Sequence, residues 1–367
     1  MFLARKNKNK KMRKWNFCAG PAAISEDVLL DVKSELLEWK DSGTSIMEMS
    51  HRSPEYLSVA REAKTDLIDI LNIPENYDVL FLQGGATQQF AQIPINFGKK
   101  SADYVLTGTW SKKAISEASN YIEVKTIASS EQENFSYVPD PNSWRFSRDA
   151  DYVHYCPNET IQGVALHKAP ITKNPLIADM SSVILSEPID VKNFSMIYAG
   201  AQKNIGPAGL TVIIIEKEFL LKSNNNLANI LKYDEHVKAD SMLNTPPTFA
   251  WYMAGKVFKW IKECGGLKFF KEQNYKKAKL LYEFIDNSSF YSNNIMLENR
   301  SIMNVPFLLA DDKLDNEFLD KSKKNGLLHL KGHRSVGGMR ASIYNAMPLD
   351  GVIELISFMK DFEIENG

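Results

Sequence analysis

In MIYAGAQKNIGPAGLTVIII (residues 196–215) one lysine, Lys203, stands between two apolar runs of β type, with Gly200, Gly206 and Gly209 around it. Such a frame keeps a lysine out of water, and burial favours the neutral, nucleophilic amine that attacks a carbonyl. Taken alone, the stretch reads equally as a hairpin whose tip carries a lysine. Upstream, the apolar run 175–177 leads into Ala178-Asp179-Met180-Ser181-Ser182, which sets a carboxylate at a strand end. An aspartate before Ser-Ser also reads as a turn or helix cap. In this order the two residues meet the needs of pyridoxal phosphate. That group takes an amine to carry it as a Schiff base and an acid against its ring nitrogen, which keeps the ring an electron sink.

A phosphate needs a cradle as well. Residues 79–82 form a short strand of buried type, followed by Gln83-Gly84-Gly85-Ala86-Thr87-Gln88-Gln89 and a helical pattern through Asn96. Glycines admit close backbone approach, the helix start favours an anion, and Thr87 adds a hydroxyl donor; a plain packing turn has the same look. No lysine follows the last glycine, so the loop is not of the nucleoside-triphosphate type. The strand-like YVHY (residues 152–155) runs into Cys156-Pro157-Asn158-Glu159-Thr160, where Thr160 can reach a ring hydroxyl. Trp110, after the run 104–106 and the Thr107-Gly108-Thr109 turn, is a candidate to stack on an aromatic cofactor, although core packing is the commoner role of tryptophan.

The segments NFCAGPAAI (16–24), MSHRSPE (49–55), GGATQQF (84–90), HYCPNETIQG (154–163), IYAGAQKNIGPAGLT (197–211), NTPPTFAWY (244–252) and GHRSVGGMRASIYNAMP (332–348) together carry a resemblance running from about residue 15 to the end. The chain resembles the class V, fold-type I pyridoxal-phosphate aminotransferases, and within them the branch that acts on phosphoserine. The resemblance implies that Lys203 carries the cofactor and then moves the proton between Cα and the cofactor, while Asp179 pairs with the pyridine nitrogen. It places Trp110 on the ring, Thr160 on the phenolic oxygen, and Ala86, Thr87 and Gln202 on the phosphate. Asn244 and Thr245 resemble residues that complete the phosphate site from a neighbouring subunit, which implies a homodimer with shared sites. Arg52, His333, Arg334 and Arg340 match the groups that take substrate carboxylate and phosphate, a task suited to guanidinium forks. The implied reaction moves the amino group of L-glutamate to 3-phosphohydroxypyruvate, giving O-phospho-L-serine and 2-oxoglutarate by a ping-pong cycle in serine biosynthesis. A related four-carbon substrate of pyridoxine biosynthesis, 3-hydroxy-2-oxo-4-phosphooxybutanoate, is taken by some members. Cys18 and Ala19 stand where many relatives have serine or asparagine, and Thr87 where some have arginine.

Two other classes of function share parts of this pattern. A cysteine desulfurase needs a mobile nucleophilic cysteine late in the chain, and the last cysteine here, Cys264, sits at a predicted helix end well before the glycine-rich loop 332–338. A binding module that kept the cofactor and lost catalysis has no use for the arginine set.

The elements that must hold these groups read as a doubly wound α/β large domain with a mainly parallel, helix-covered sheet, followed by a smaller α+β domain. Ser25 is expected to cap a helix whose apolar face is Val28, Leu29, Val32, Leu36 and Trp39 and which stops at Gly43; Ser53-Pro54 starts a second, with Leu57, Ala60, Ala63, Leu67, Ile70 and Leu71 on one face. Strands and helices then alternate to about residue 215, so ligands are expected at strand C-termini. The expected organisation is a basic extension over residues 1–14 lying outside the fold, a segment 15–25 packing with the small domain, a cofactor domain over 26–266, and the small domain over 267–367. Met12 begins MRKWNFCAGP, the start the resemblance leads one to expect. The tract 129–149 shows no clean period and is assigned no function.

With 367 residues, 44% of them hydrophobic, and a formal charge of −1, the chain can bury a large core and gives no reason to invoke nucleic acid. Three widely spaced cysteines argue against a disulfide framework and for a reducing, cytoplasmic setting. His51 and His154 lack partners at metal-ligand spacing, and no metal is expected. The most apolar run, 210–215, is far too short to span a bilayer.

Overall fold

Along the strand Thr211–Glu216, Val212 and Ile214 face one core while Ile213 and Ile215 face another, and all four are fully buried. A strand apolar on both faces must be covered on both. The computed structural model, which describes residues 13–367, supplies that cover. Residues 1–12 of the expected basic extension lie outside the described residues.

The main sheet has seven strands in the order Tyr77–Leu82, Thr211–Glu216, Met196–Gly200, Leu176–Asp179, Val153–Tyr155, Ser101–Leu106 and Glu123–Ser129. All pairings are parallel except the two made by Thr211–Glu216, so Tyr77–Leu82 again runs with the rest. Helices Pro54–Leu71 and Thr248–Glu263 cover one face, where Phe81 stacks on Trp251 at 4.5 Å between centroids. Helices Gly85–Phe97 and Thr109–Ala118 cover the other.

Two expectations need correction. The first helix ends at Glu35 rather than near Gly43; past it Lys40 and Asp41 turn left-handed (φ 46° and 58°) and the Trp39 amide folds back on the Thr44 carbonyl at 3.0 Å, a turn that a helix could not run through. Ser25 makes no side-chain capping bond. The regular alternation of strand and helix also stops early: after Thr109–Ala118 no α-helix occurs before Lys217–Leu220, and from Tyr155 to Met196 the two parallel crossovers use turns, the short hairpin Asn158–Glu159 with Val164–Ala165, and one 3-10 turn, Val191–Asn193. These segments are held by side-chain bonds and burial rather than by helical periodicity.

A second core lies around the three antiparallel strands Tyr291–Ser292, Asn304–Leu309 and Met339–Ser342, with helices Asp315–Lys324 and Leu349–Asn366. Helix Gly266–Asn287 joins the two cores: Leu267 and Phe270 belong to the larger, whereas Ala278, Leu281 and Ile285 belong to the smaller. The N-terminal residues Trp15–Asn16 pair with Leu327–Leu328, and Phe17 is fully buried in the smaller core. From there the chain reaches the sheet, where the Ala22 amide bonds the Gln202 carbonyl at 2.8 Å. Among the described residues no helix is long and apolar enough to cross a membrane.

Candidate active site

Lys203 leaves the C-terminal end of the buried strand Met196–Gly200 in a turn closed by the Gly206 and Lys203 amides on the Ala201 carbonyl, at 2.8 and 2.7 Å. It therefore does sit in the connection of an antiparallel hairpin, Met196–Gly200 with Thr211–Glu216. Its side chain is not a solvated tip, however: only 8% of Lys203 is exposed, and Nζ donates to Thr160 Oγ1 at 2.6 Å. Burial pushes its pKa down to about 8, and Arg340 adds to that push, against the pull of Asp179, Cys156 and Glu159.

Asp179 ends the strand Leu176–Asp179 and is 6% exposed. Its Oδ1 accepts from the Ser181 amide at 2.9 Å and the Ser181 hydroxyl at 2.6 Å, so it caps a turn as well as facing the lysine. The Ser181 hydroxyl in turn accepts from the Gly200 amide at 3.0 Å, tying the aspartate to the strand that carries Lys203. Burial raises the Asp179 pKa, more than Lys203, Ser181 and Tyr198 lower it. A carboxyl so buried gains from a cationic counter-charge.

Thr160 sits in the turn between Asn158–Glu159 and Val164–Ala165. Trp110 is in the first turn of Thr109–Ala118, with its ring centroid 5.8 Å from Lys203 Nζ and 4.6 Å from Lys113 Nζ. Its indole Nε1 is buried without a partner. Leu82 and Gly200 both pair with Thr211, so the loop before Gly85–Phe97 and the turn carrying Gln202 leave the sheet at one level, about 10 Å apart across two strand spacings. Gly84 at φ +93° begins that helix with no side-chain cap, leaving its first amides for an anion. Ala86 and Gln202 are half-buried and Thr87 is exposed.

In strand Met339–Ser342 the pleat sends Met339 and Ala341 into the smaller core and Arg340 the other way, where Nη1 reaches the Thr160 carbonyl at 3.4 Å. Arg340 Nε is buried with no partner. His333 bonds Ser335 at 2.7 Å through Nδ1. Its pKa is lowered by burial and by the charges of Arg340, Arg334 and Lys113, so these cations gather at one mouth of the site. Arg52, Asn244 and Thr245 are exposed, and no hydrogen bond or ion pair links their side chains to Lys203, Asp179 or Arg340; the Thr245 carbonyl accepts from Gln83 at 2.9 Å.

Three neighbours escaped the reading of the sequence: Ser181, Lys113 and Glu159. Lys113 had a signal, since it lies one helical turn after Trp110. Cys264 caps helix Thr248–Glu263, and burial raises its pKa, so it is no thiolate nucleophile. Among the described residues no group of three or more His, Cys, Asp or Glu is placed to hold a metal. The donor set instead fits a planar, carbonyl-bearing pyridinium phosphate: a buried amine of lowered basicity, a buried carboxyl, an aromatic face, an uncapped helix start and an unpartnered guanidinium nitrogen.

The Aminotransferase class-V family profile matches residues 14–355. Phosphoserine aminotransferase of Hahella chejuensis is 53% identical over 97% of this chain and 99% of its own, and that of Pseudomonas syringae pv. syringae 54% over the same shares. Among solved structures, phosphoserine aminotransferase from Bacillus circulans subsp. alkalophilus superposes with a TM-score of 0.95 at 45% identity, covering 97% of this chain and 99% of that one. The pyridoxal-phosphate-bound enzyme of Trichomonas vaginalis gives 0.91 at 42%, covering 95% and 100%. A match that spans the sheet, the Lys203 turn and the Arg340 strand together makes this chain a member of the class V aminotransferases.

Proposed function

We propose that the chain is a pyridoxal-phosphate-dependent phosphoserine aminotransferase, exchanging the amino group of L-glutamate with the oxo group of 3-phosphohydroxypyruvate. The observation that carries the reading is a buried lysine of lowered pKa, bonded to Thr160, in one site with buried Asp179 and with Arg340, whose Nε has no partner. Its full-length relatives bear the same name.

When bound, pyridoxal phosphate supplies the carbonyl and the electron sink that let a proton leave the Cα of an amino acid. Lys203 is the base that takes that proton and returns it, and a pKa near 8 lets it do both near neutrality. Asp179 would meet the ring nitrogen and, through opposite charge, favour a proton there. Thr160 orients the Lys203 amine and would bond the ring hydroxyl, and Trp110 would pack against the ring. Ala86, Thr87 and Gln202 take the cofactor phosphate. Arg340 takes the α-carboxylate common to both amino acids. His333 and Arg334 take the phosphate that distinguishes phosphoserine from serine. Arg52, Asn244 and Thr245, exposed and with no side-chain bond to Lys203, Asp179 or Arg340 in one chain, act in a homodimer, where each copy completes its partner's site. Three free cysteines fit a cytoplasmic enzyme.

The test is a half-reaction. O-Phosphoserine added to the cofactor-loaded protein should bleach its visible absorbance, serine should not, and 2-oxoglutarate should restore the colour. A spectrum unmoved by phosphoserine refutes the assignment.

A further inference from the structure

The first turn of helix Thr109–Ala118 has three amides that no helical carbonyl can accept, and each is met by a side chain of one distant hairpin. The Thr109 amide donates to Gln162 Oε1 at 3.1 Å, the Trp110 amide to Glu159 Oε2 at 2.9 Å, and the Ser111 amide to Glu159 Oε1 at 2.8 Å. Gln162 Nε2 also donates to Thr109 Oγ1 at 2.7 Å. Glu159 and Gln162 lie either side of Thr160, the residue on which Lys203 rests.

Two features set this apart from an ordinary helix cap. Glu159 is fully buried and, although it feels the charge of Lys203, makes no direct ion pair among the described residues, an expensive way to satisfy amides that a local serine or aspartate would serve. The local cap position has been cleared for it: Gly108 has extended backbone open to any residue, yet a Cβ there would lie 2.4 Å from the Glu159 carboxyl carbon. The helix dipole accounts for a carboxylate rather than an amide at this point.

We propose that Glu159, with Gln162, is a positioning residue for the cofactor, acting through Trp110 by clamping the tryptophan backbone and Thr160 into one rigid unit. The proposal rests on the functional reading above for what occupies the site, and on geometry alone for the clamp. In Glu159→Gln one oxygen is lost and an amide NH2 is turned against a backbone N–H, so the Trp110 turn is freed while the volume stays the same.

Two measurements on that variant decide the matter. In the cofactor-free protein labelled with 5-fluorotryptophan, the 19F resonance of Trp110, assigned through Trp110→Phe, should shift and broaden while those of the other tryptophans hold. By equilibrium dialysis, the pyridoxal phosphate Kd should rise about tenfold, the cost of having to order the freed tryptophan on binding. The same substitution in a Trp110→Ala background should change Kd less than about twofold, because residues in one network are not additive. Equal factors in both backgrounds, or an unmoved Trp110 resonance, overturn the clamp. Should Glu159→Gln broaden every resonance, Gln162→Leu answers the same question with the charge left in place. Failure of the wild-type protein to bind pyridoxal phosphate would sink the functional reading, while the 19F result would still judge the clamp.

Discussion

Replacing Lys203 with methionine should make the cofactor-free protein more stable at neutral pH, at the expense of its chemistry. The unfolded chain holds the Lys203 proton up to the ordinary pKa of 10.5, whereas the folded chain releases it above about 8. Between those values the unfolded state binds more protons, so stability rises with pH from about 8 to 10.5; below about 8 the folded protein carries the whole penalty. At about 1.36 kcal/mol per pH unit the gap corresponds to about 3 kcal/mol. Methionine keeps the length without the charge but loses the bond to Thr160, about 1 kcal/mol. The expected gain near pH 7 is therefore about 2 kcal/mol, shrinking to nothing or reversing as the pH approaches 10.5. Urea unfolding of both cofactor-free proteins at several pH values measures it, and groups too distant to feel Lys203 cancel in the difference. A variant that is no more stable near neutrality, or whose advantage is independent of pH, refutes the claim that burial strains this amine.

The remaining expectations concern turnover and assembly. Asp179→Asn keeps the shape and cannot hold a ring proton, so cofactor should still bind while single-turnover amino transfer slows by several orders of magnitude; near-normal turnover would reduce Asp179 to the turn cap it also is. Arg334→Ala should raise KM for phosphoserine far more than for glutamate, whereas Arg340→Ala should harm both alike; exposed ion pairs contribute only about 0 to 1 kcal/mol and would produce neither pattern. Mixing Lys203→Ala chains with chains mutated at both Asn244 and Thr245 should restore part of the activity through one intact site per heterodimer, and verified heterodimers without recovery would exclude shared sites.

The groups that do chemistry were legible because their side chains are rare in such surroundings. One lysine between two apolar strands and one aspartate at a strand end need no knowledge of their neighbours to be noticed, and the alternation of Val212, Ile213, Ile214 and Ile215 between two cores is likewise a local pattern. Strand Glu123–Ser129 was not legible: as the sheet edge it leaves Glu123, Lys125 and Thr126 exposed and so carries no buried-strand signal. The chain from Tyr155 to Met196 was misread because its order comes from pairs far apart in sequence, such as Asn158 with Asn304 at 2.9 Å.

The same is true of what holds Arg340 in register with Lys203. Lys277 looks like one more lysine of a charged helix, yet it falls on the buried stripe with Asn274 and Leu281, and its ammonium meets the carbonyls of Ile343, Tyr344 and Met347, each at 2.8 Å. Burial pushes its pKa down to about 7, while three acceptors match the three donors of its charged form. In the loop so gripped, the Asn345 amide bonds Asn204 Oδ1 at 3.0 Å, and Asn204 is the residue after the reactive lysine. The loop that follows the Arg340 strand is thus tied directly to the Lys203 turn, across the junction of the two cores. Helical spacing from Phe270 could have marked Lys277 as buried; nothing short of the folded chain could show which carbonyls it would find.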